Sequence, residues 1–80
     1  HKMKSYINLQ NNIEFVKSSC IKGFSYDVEK QALLIRFNSD KDVIYHGVPL
    51  DEYVDFHHAT SYGEHFNAYI KNDYPHEYLN

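Results

Sequence analysis

Histidine is the residue type in this chain with the most evident capacity for chemistry, and it occurs six times in 80 residues. His57 and His58 are adjacent, so on a helix they point about 100° apart and cannot easily bind one metal ion together. The i,i+4 histidine pair of zinc helices is absent, and Cys20 has no second cysteine to help complete a tetrahedral site. Asp55 and His58 are three residues apart and can pair on an exposed helix face. The sequence therefore predicts neither a metal site nor a cofactor.

Catalysis would need a nucleophile beside a base, or two carboxylates set in a cleft. Cys20 with a histidine, or Ser18 with His46, are the candidates, but neither nucleophile lies in a sequence elbow or a glycine-rich turn. The chain contains no G-x-G-x-x-G motif and no P-loop. A domain of this size also has little room for a deep pocket. The sequence predicts that the protein is not an enzyme.

The charge balance is mildly acidic. Eleven carboxylates against eight lysine and arginine residues give a formal net charge of −3. Proteins that bind nucleic acids without sequence specificity usually carry a basic face, because neutralised phosphates supply most of the affinity. The single cysteine fits a reducing compartment, and no apolar run approaches the roughly 18–20 residues that span a bilayer. We expect a soluble, cytoplasmic protein.

Three segments rich in β-branched and aromatic residues predict strands, at residues 20–27, 33–37 and 43–48. In the second segment, Leu33, Ile35 and Phe37 alternate with Leu34 and Arg36. Alternation of this kind places the two sets on opposite faces of a sheet. Short polar links join the segments, which predicts a three-stranded antiparallel meander.

The spacing changes to that of helices after Pro49. A first helix is predicted from the recurrence of Leu50, Tyr53, Val54 and His57. Ser61 and Glu64 match the S-x-x-E capping box at the start of a second helix. Its apolar stripe consists of Tyr62, Phe66, Tyr69 and Ile70, and Tyr74-Pro75 ends it. Gly63 near its start indicates a close approach to a strand.

These elements predict an α+β domain at residues 13–80, in β-β-β-α-α order, with both helices packed on one face of the meander. Residues 1–12 would precede it as an arm. Residues 3–12 have no clear period and could form a short arm, a helical turn or a disordered segment. Met3 resembles a natural start, so His1 and Lys2 are interpreted as a remnant of a tag.

Several segments, taken in order, resemble the KTSC domain. They are VKSSCIKGFSYDVEKQALLIRF, YHGVP and SYGEHFNAYIKNDYP, and together they span roughly residues 16–76. The matching elements include Tyr26-Asp27, Val48-Pro49 and Tyr74-Pro75. The family's central Y-x-Y appears here as Val43-Ile44-Tyr45, and only Lys71 remains of the basic residues expected around the last helix. The family occurs alone in small bacterial and phage proteins and at the C-terminus of some lysyl-tRNA synthetases.

The resemblance implies a binding module and leaves the class of partner open. The synthetase context implies RNA or other nucleic-acid binding, for which Tyr45 beside Arg36 would stack bases. The many tyrosines, an open sheet edge and an acidic helix surface favour a protein partner, or a second copy paired at that edge. We predict a non-catalytic interaction module with a protein partner favoured, for example a phage or prophage accessory or inhibitor protein. The alternative is an RNA-binding module.

The candidate binding residues are Arg36, Tyr45, Asn67, Lys22 and Lys71. Lys22, Arg36 and Lys71 are the cations expected to meet phosphate if nucleic acid is the ligand. Asn67 comes one position after Phe66 of the apolar stripe, so it either hydrogen-bonds a loop backbone or, if exposed, offers a polar contact to a ligand.

Overall fold

Five antiparallel strands form the sheet in the computed structural model, which describes residues 6–80. Each strand pairs with the next one along the chain. The strands are β1 (Glu14–Phe15), β2 (Ile21–Asp27), β3 (Ala32–Phe37), β4 (Asp42–His46) and β5 (His76–Tyr78). The helices are α1 (Ile7–Gln10), α2 (Leu50–His57) and α3 (Tyr62–His65), and α3 continues into a π-helical turn at Phe66–Ile70. Both α2 and α3 lie in the connection between β4 and β5.

The register of β3 against β4 separates two faces. Leu33 is opposite Tyr45, and Leu34 is opposite Ile44. Leu33 and Tyr45 belong to one buried cluster, whereas Leu34 and Ile44 belong to another. The predicted alternation is therefore confirmed, and the sheet is covered on both sides.

The larger cluster lies between the sheet and the α2–α3 layer. Its members are Ile21, Phe24, Leu33, Ile35, Val43, Tyr45, Val48, Phe56, Phe66 and Ile70. Phe24 of β2 and Phe56 of α2 meet edge to face, with ring centroids 4.9 Å apart. Aromatic pairs of this geometry contribute beyond the area they bury, so this contact fixes α2 on the sheet.

The smaller cluster covers the opposite face. Leu9 of α1 is 6% exposed and packs with Ala32, Leu34 and Ile44. Of the alternatives for residues 3–12, the helical turn is therefore found at residues 7–10. The residues interpreted as a tag remnant lie outside the described part of the chain.

The structure differs from the prediction in the number of strands. The α+β class and the antiparallel arrangement are confirmed, but the sheet has five strands rather than three. β1 and β5 contain two and three residues. Such segments are too short to show an alternating pattern, so only their pairing with β2 and β4 reveals them.

The buried face of α2 also differs from the predicted stripe. Leu50 and Val54 are 49% and 40% exposed, while Phe56 is fully buried. The aromatic side of α2 packs on the sheet instead, where Tyr53 and Phe56 both contact the ring of Phe24. The helix is therefore rotated so that an aliphatic pair faces outward.

The second helix begins as predicted. The Ser61 hydroxyl accepts a hydrogen bond from the Glu64 amide at 3.3 Å. It ends in a wider turn, in which the Lys71 amide donates to the Phe66 carbonyl five residues earlier at 2.9 Å. Between residues 6 and 80, no helix has the length and apolarity needed to cross a membrane.

Candidate interaction surface

Arg36 is held by a buried carboxylate. Its Nε and Nη2 atoms donate to the two carboxylate oxygens of Asp42 at 2.7 and 2.9 Å, and Asp42 is 1% exposed. Gln10 of α1 donates to the same carboxylate at 3.2 Å. Hydrogen bonds from Arg36 are the largest cause of the lowered pKa of Asp42. The Asp42 carboxylate therefore joins β3, β4 and α1, and it holds two of the guanidinium donors of Arg36 within the fold.

The other two predicted cations, Lys22 and Lys71, are not paired with Asp42. Lys22 forms an ion pair with Asp40. Lys71 is exposed immediately after the π-helical turn and forms no ion pair with any residue from 6 to 80. Asn67 is exposed, and no hydrogen bond to a loop backbone is found for its side chain in that range. Asn67 thus takes the exposed position expected of a ligand contact.

Tyr45 does not form a stacking platform with Arg36. Its side chain is 5% exposed, and its ring centroid lies 5.3 Å from that of Phe66 in the core. Burial raises the pKa of Tyr45 to about 12. Arg36 opposes Asp42 and Tyr45 opposes Leu33, so the two positions are offset by three residues along the register, which is an odd number. The two side chains consequently lie on opposite faces of the sheet.

The outer surface of the α2–α3 layer is acidic, and we call it the helical face. Its charged members are Asp51, Glu52, Asp55, Glu64, Lys71 and Asp73. It thus carries five carboxylates against one lysine. Burial is the main cause of the raised pKa of Tyr74, and Glu52, Asp73 and Asp51 add to it through their charge. Carboxylates from α2 and from the segment after the π-helical turn therefore converge on one region.

A cleft opens on the helical face between α2 and α3. It has a volume of about 470 Å³ and is bounded by Glu52, Asp55, His65 and Tyr69. His65 Nε2 and Glu52 Oε2 are 2.7 Å apart, which joins the two helices. The Tyr69 ring lies 4.8 Å from that of His65 and is 55% exposed. Tyr69 projects from the π-helical turn, a type of irregularity that is frequent at functional sites.

Apolar side chains are exposed beside these carboxylates. Leu50 and Val54 lie one turn apart on the outer side of α2. Sequence reasoning placed these two residues and Tyr69 in the core, and so missed them as surface residues. The signal that could have identified them is Phe56, the bulkiest apolar residue of α2, which defines a buried direction away from Leu50 and Val54.

Three of the histidines link separate elements. His46 contacts Glu77 at 2.9 Å, His57 contacts Glu14 at 3.0 Å, and His65 contacts Glu52. Across residues 6–80, no group of three or more histidine, cysteine, aspartate and glutamate side chains could hold a metal ion.

This geometry defines a small antiparallel α+β module with an acidic, partly apolar helical surface. The KTSC domain family model matches residues 17–74, and the chain belongs to that family. A lysine–tRNA ligase of Nostoc punctiforme is 40% identical over 63 residues, which cover 79% of this chain and 11% of the ligase. The chain thus spans about a tenth of that relative. The crystal structure of the KTSC domain protein YPO2434 from Yersinia pestis matches with a TM-score of 0.83 at 29% identity, over 86% of this chain and 97% of that one.

Proposed function

We propose that this chain is a non-catalytic, cytoplasmic interaction module that docks its helical face on a basic surface of another protein. The observation that carries the proposal is the excess of carboxylates over lysine on that face, next to exposed Leu50, Val54 and Tyr69. Charge complementarity guides encounter and orientation, whereas apolar and aromatic side chains supply most of the binding energy. A phage or prophage accessory or inhibitor protein is one setting for such a module.

RNA binding is the second candidate, and likeness to part of a lysine–tRNA ligase favours it. Phosphate contacts require cations free to pair with the ligand. Arg36 is instead bound by Asp42, and Lys22 is paired with Asp40. The acidic helical face would repel a phosphate backbone. These observations favour a protein partner over RNA.

The test compares two charge reversals on proteins captured from cells of the source organism. Asp55→Lys alters the helical face, and Glu29→Lys makes the same charge change in the exposed β2–β3 turn. Each protein retained by the wild type is purified and titrated against all three chains. We expect a basic protein whose affinity is unchanged by Glu29→Lys and falls on the order of tenfold with Asp55→Lys. Val54→Ser should weaken the same complex.

Labelled tRNA, single-stranded RNA and duplex DNA provide the opposing arm of the test. Fluorescence anisotropy is measured at about 50 and 200 mM salt, a range over which phosphate contacts lose affinity steeply. Salt-sensitive binding of any of them would overturn the proposal in favour of a nucleic-acid module. Equal sensitivity of a captured complex to both charge reversals would also overturn it, because the helical face would then not be the docking surface.

A further inference from the structure

Two hydrogen bonds fix how the backbone of β5 is oriented. The His46 amide donates to the Pro75 carbonyl at 2.9 Å, and the Leu79 amide donates to the Asp42 carbonyl at 2.8 Å. Backbone groups of successive residues in a strand point to alternate sides. Since the backbone groups of residues 75 and 79 point toward β4, the backbone amide and carbonyl of residue 77 between them point the same way.

The residues between these positions face the other way. His76 and Tyr78 therefore direct their amide and carbonyl groups away from β4, toward the free edge of the sheet. β5 is the last strand of the sheet in the described part of the chain, and all three of its residues are exposed, Tyr78 at 64%. Four backbone hydrogen-bonding groups are thus aligned at one edge.

Three of the features that commonly protect an edge strand, a lysine, a proline or a bulge, are not found in β5, although short length is a fourth such feature. His76–Tyr78 contains no lysine or proline, and the pairing of β5 with β4 runs without a register shift. Pro75 does not interfere, because its position in the ladder turns toward β4 rather than toward the free edge. What limits this edge is its length, which allows only a short added strand.

We propose that this edge accepts an extended segment of a partner protein as a sixth, antiparallel strand, with a lysine or arginine opposite Glu77. The charge of Glu77 identifies this occupant. Its Oε1 atom contacts His46 Nε2 and Tyr6 Oη, at 2.9 and 3.4 Å, while Oε2 has neither contact. Position 77 would lie in a non-hydrogen-bonded pair with the added strand, where opposed side chains approach most closely.

A second copy of the chain fits this edge less well. Antiparallel pairing of two β5 strands about Glu77 would place the two Glu77 carboxylates opposite each other, and directly opposed like charges are destabilising. A basic residue at the same position in a partner strand is stabilising instead. His76 and Tyr78 lie on the other face, where their rings contact each other with centroids 5.7 Å apart. They would favour apolar residues on either side of the basic one.

The proposal rests on the proposed function only in taking the partner to be a protein, since β5 is separate from the helical face. The probe is a capped peptide of alternating valine and lysine, titrated to about 1 mM into the isotopically labelled chain. Amide chemical shifts report where it binds. We expect the largest shifts at His76 and Tyr78, and an affinity loss on the order of tenfold when the central lysine is replaced by glutamate.

Two modifications test strand pairing itself. Methylating the peptide amides on one edge removes its donors and leaves the protein unchanged, so it should abolish the shifts. Tyr78→Pro removes an outward amide without touching the bonds to β4, and should weaken binding, whereas Tyr78→Val keeps the amide and should bind as before. Absence of shifts at β5, equal binding of the methylated peptide, or a peptide-free dimer joined at β5 would overturn the proposal. Asp55→Lys should leave peptide binding unchanged, so failure here is distinguishable from failure of the helical-face proposal.

Discussion

Gly63 of α3 lies against Cys20, so close that a Cβ atom placed on the glycine would stand 2.9 Å from the cysteine sulfur. The close approach expected from the sequence is therefore found, and its partner is the residue just before β2. A side chain at position 63 would force the thiol to move or separate the helix from the sheet.

Replacing Gly63 tests this contact. Gly63→Ala should lower the free energy of unfolding, since the clash exceeds the gain in helix propensity of about 1 kcal/mol. In a Cys20→Ala background, where the sulfur is gone, the same substitution should raise stability by up to that amount. Denaturant unfolding of the four chains of this cycle measures the coupling. An identical effect in both backgrounds would contradict the contact.

Asp42 should be the most sensitive carboxylate in the chain. Asp42→Asn leaves the Arg36 guanidinium, which is 24% exposed, without its charged partner, and loss of hydrogen bonds to a charged group in this part-buried pair costs about 1.5–3 kcal/mol. Asp40→Asn is the matched control, because the Lys22–Asp40 pair is exposed and such pairs contribute about 0–1 kcal/mol. Urea unfolding compares the two, and equal losses would show that burial does not matter here.

The lowered pKa of Asp42 also predicts a dependence on pH. The stability that ionised Asp42 contributes to the fold is fully present above the pKa of about 4 that an aspartate has in the unfolded chain. It is lost as pH falls below that value toward the lower pKa of Asp42 in the folded chain. The free energy of unfolding of the wild type should therefore decline in this acid range. Asp42→Asn should show a shallower decline. Parallel curves for the two chains would assign the acid sensitivity to other carboxylates.

The raised pKa of Tyr45 predicts how the stability of the fold changes at alkaline pH. Its pKa is about 12 in the folded chain, against about 10 when unfolded, so ionisation favours the unfolded state as pH rises between these values. Tyr45→Phe should remove this loss and move alkaline unfolding to higher pH. Absorbance at the phenolate band during a pH titration should show one fewer late-titrating tyrosine. Tyr69→Phe, at a position that is 55% exposed, controls for the loss of a phenol hydroxyl in the unfolding measurement.

Substitution of Gly23 is expected to disturb β1 locally. A Cβ atom there would lie 2.5 Å from Ile13 Cγ2 and 2.7 Å from the Glu14 carbonyl oxygen. Because the second neighbour is backbone, Gly23→Ala should displace β1 and cost about 1–3 kcal/mol. Amide exchange should accelerate at residues 14–16 more than at residues 76–78. Uniform acceleration would instead indicate a global loss of stability.

The central strands could be predicted because each of them is long enough to show an alternating apolar pattern within its own sequence. The alternation of Leu33 and Leu34 between two clusters gives β3 its faces, and Ser61 marks the start of α3. The orientation of α2 could not be derived in the same way. Leu50 and Val54 have the spacing of a buried stripe, which competes with the direction that the bulky Phe56 indicates, and the contact of Phe56 with Phe24 on the sheet shows which direction is buried.

The predicted binding residues depend on register, which a hydrophobic pattern alone does not supply. Once Leu33 is known to oppose Tyr45, Arg36 must oppose Asp42, and the ion pair follows. With the register set, the sequence contains the information that Arg36 is paired with Asp42 across the strands. Edge strands of two or three residues have no such internal signal, so β1 and β5 appear only with the fold.

The position of both main helices between β4 and β5 has a consequence for folding. The hairpins β2–β3 and β3–β4 join residues close in sequence, so they can form early. β5 pairs with β4 only after the intervening chain has closed into a large loop, which delays that step on entropic grounds. The C-terminal strand should therefore pair late during refolding. It should also detach early under mild denaturation, so that the edge of the sheet would pass from β5 to β4 while the inner hairpins persist.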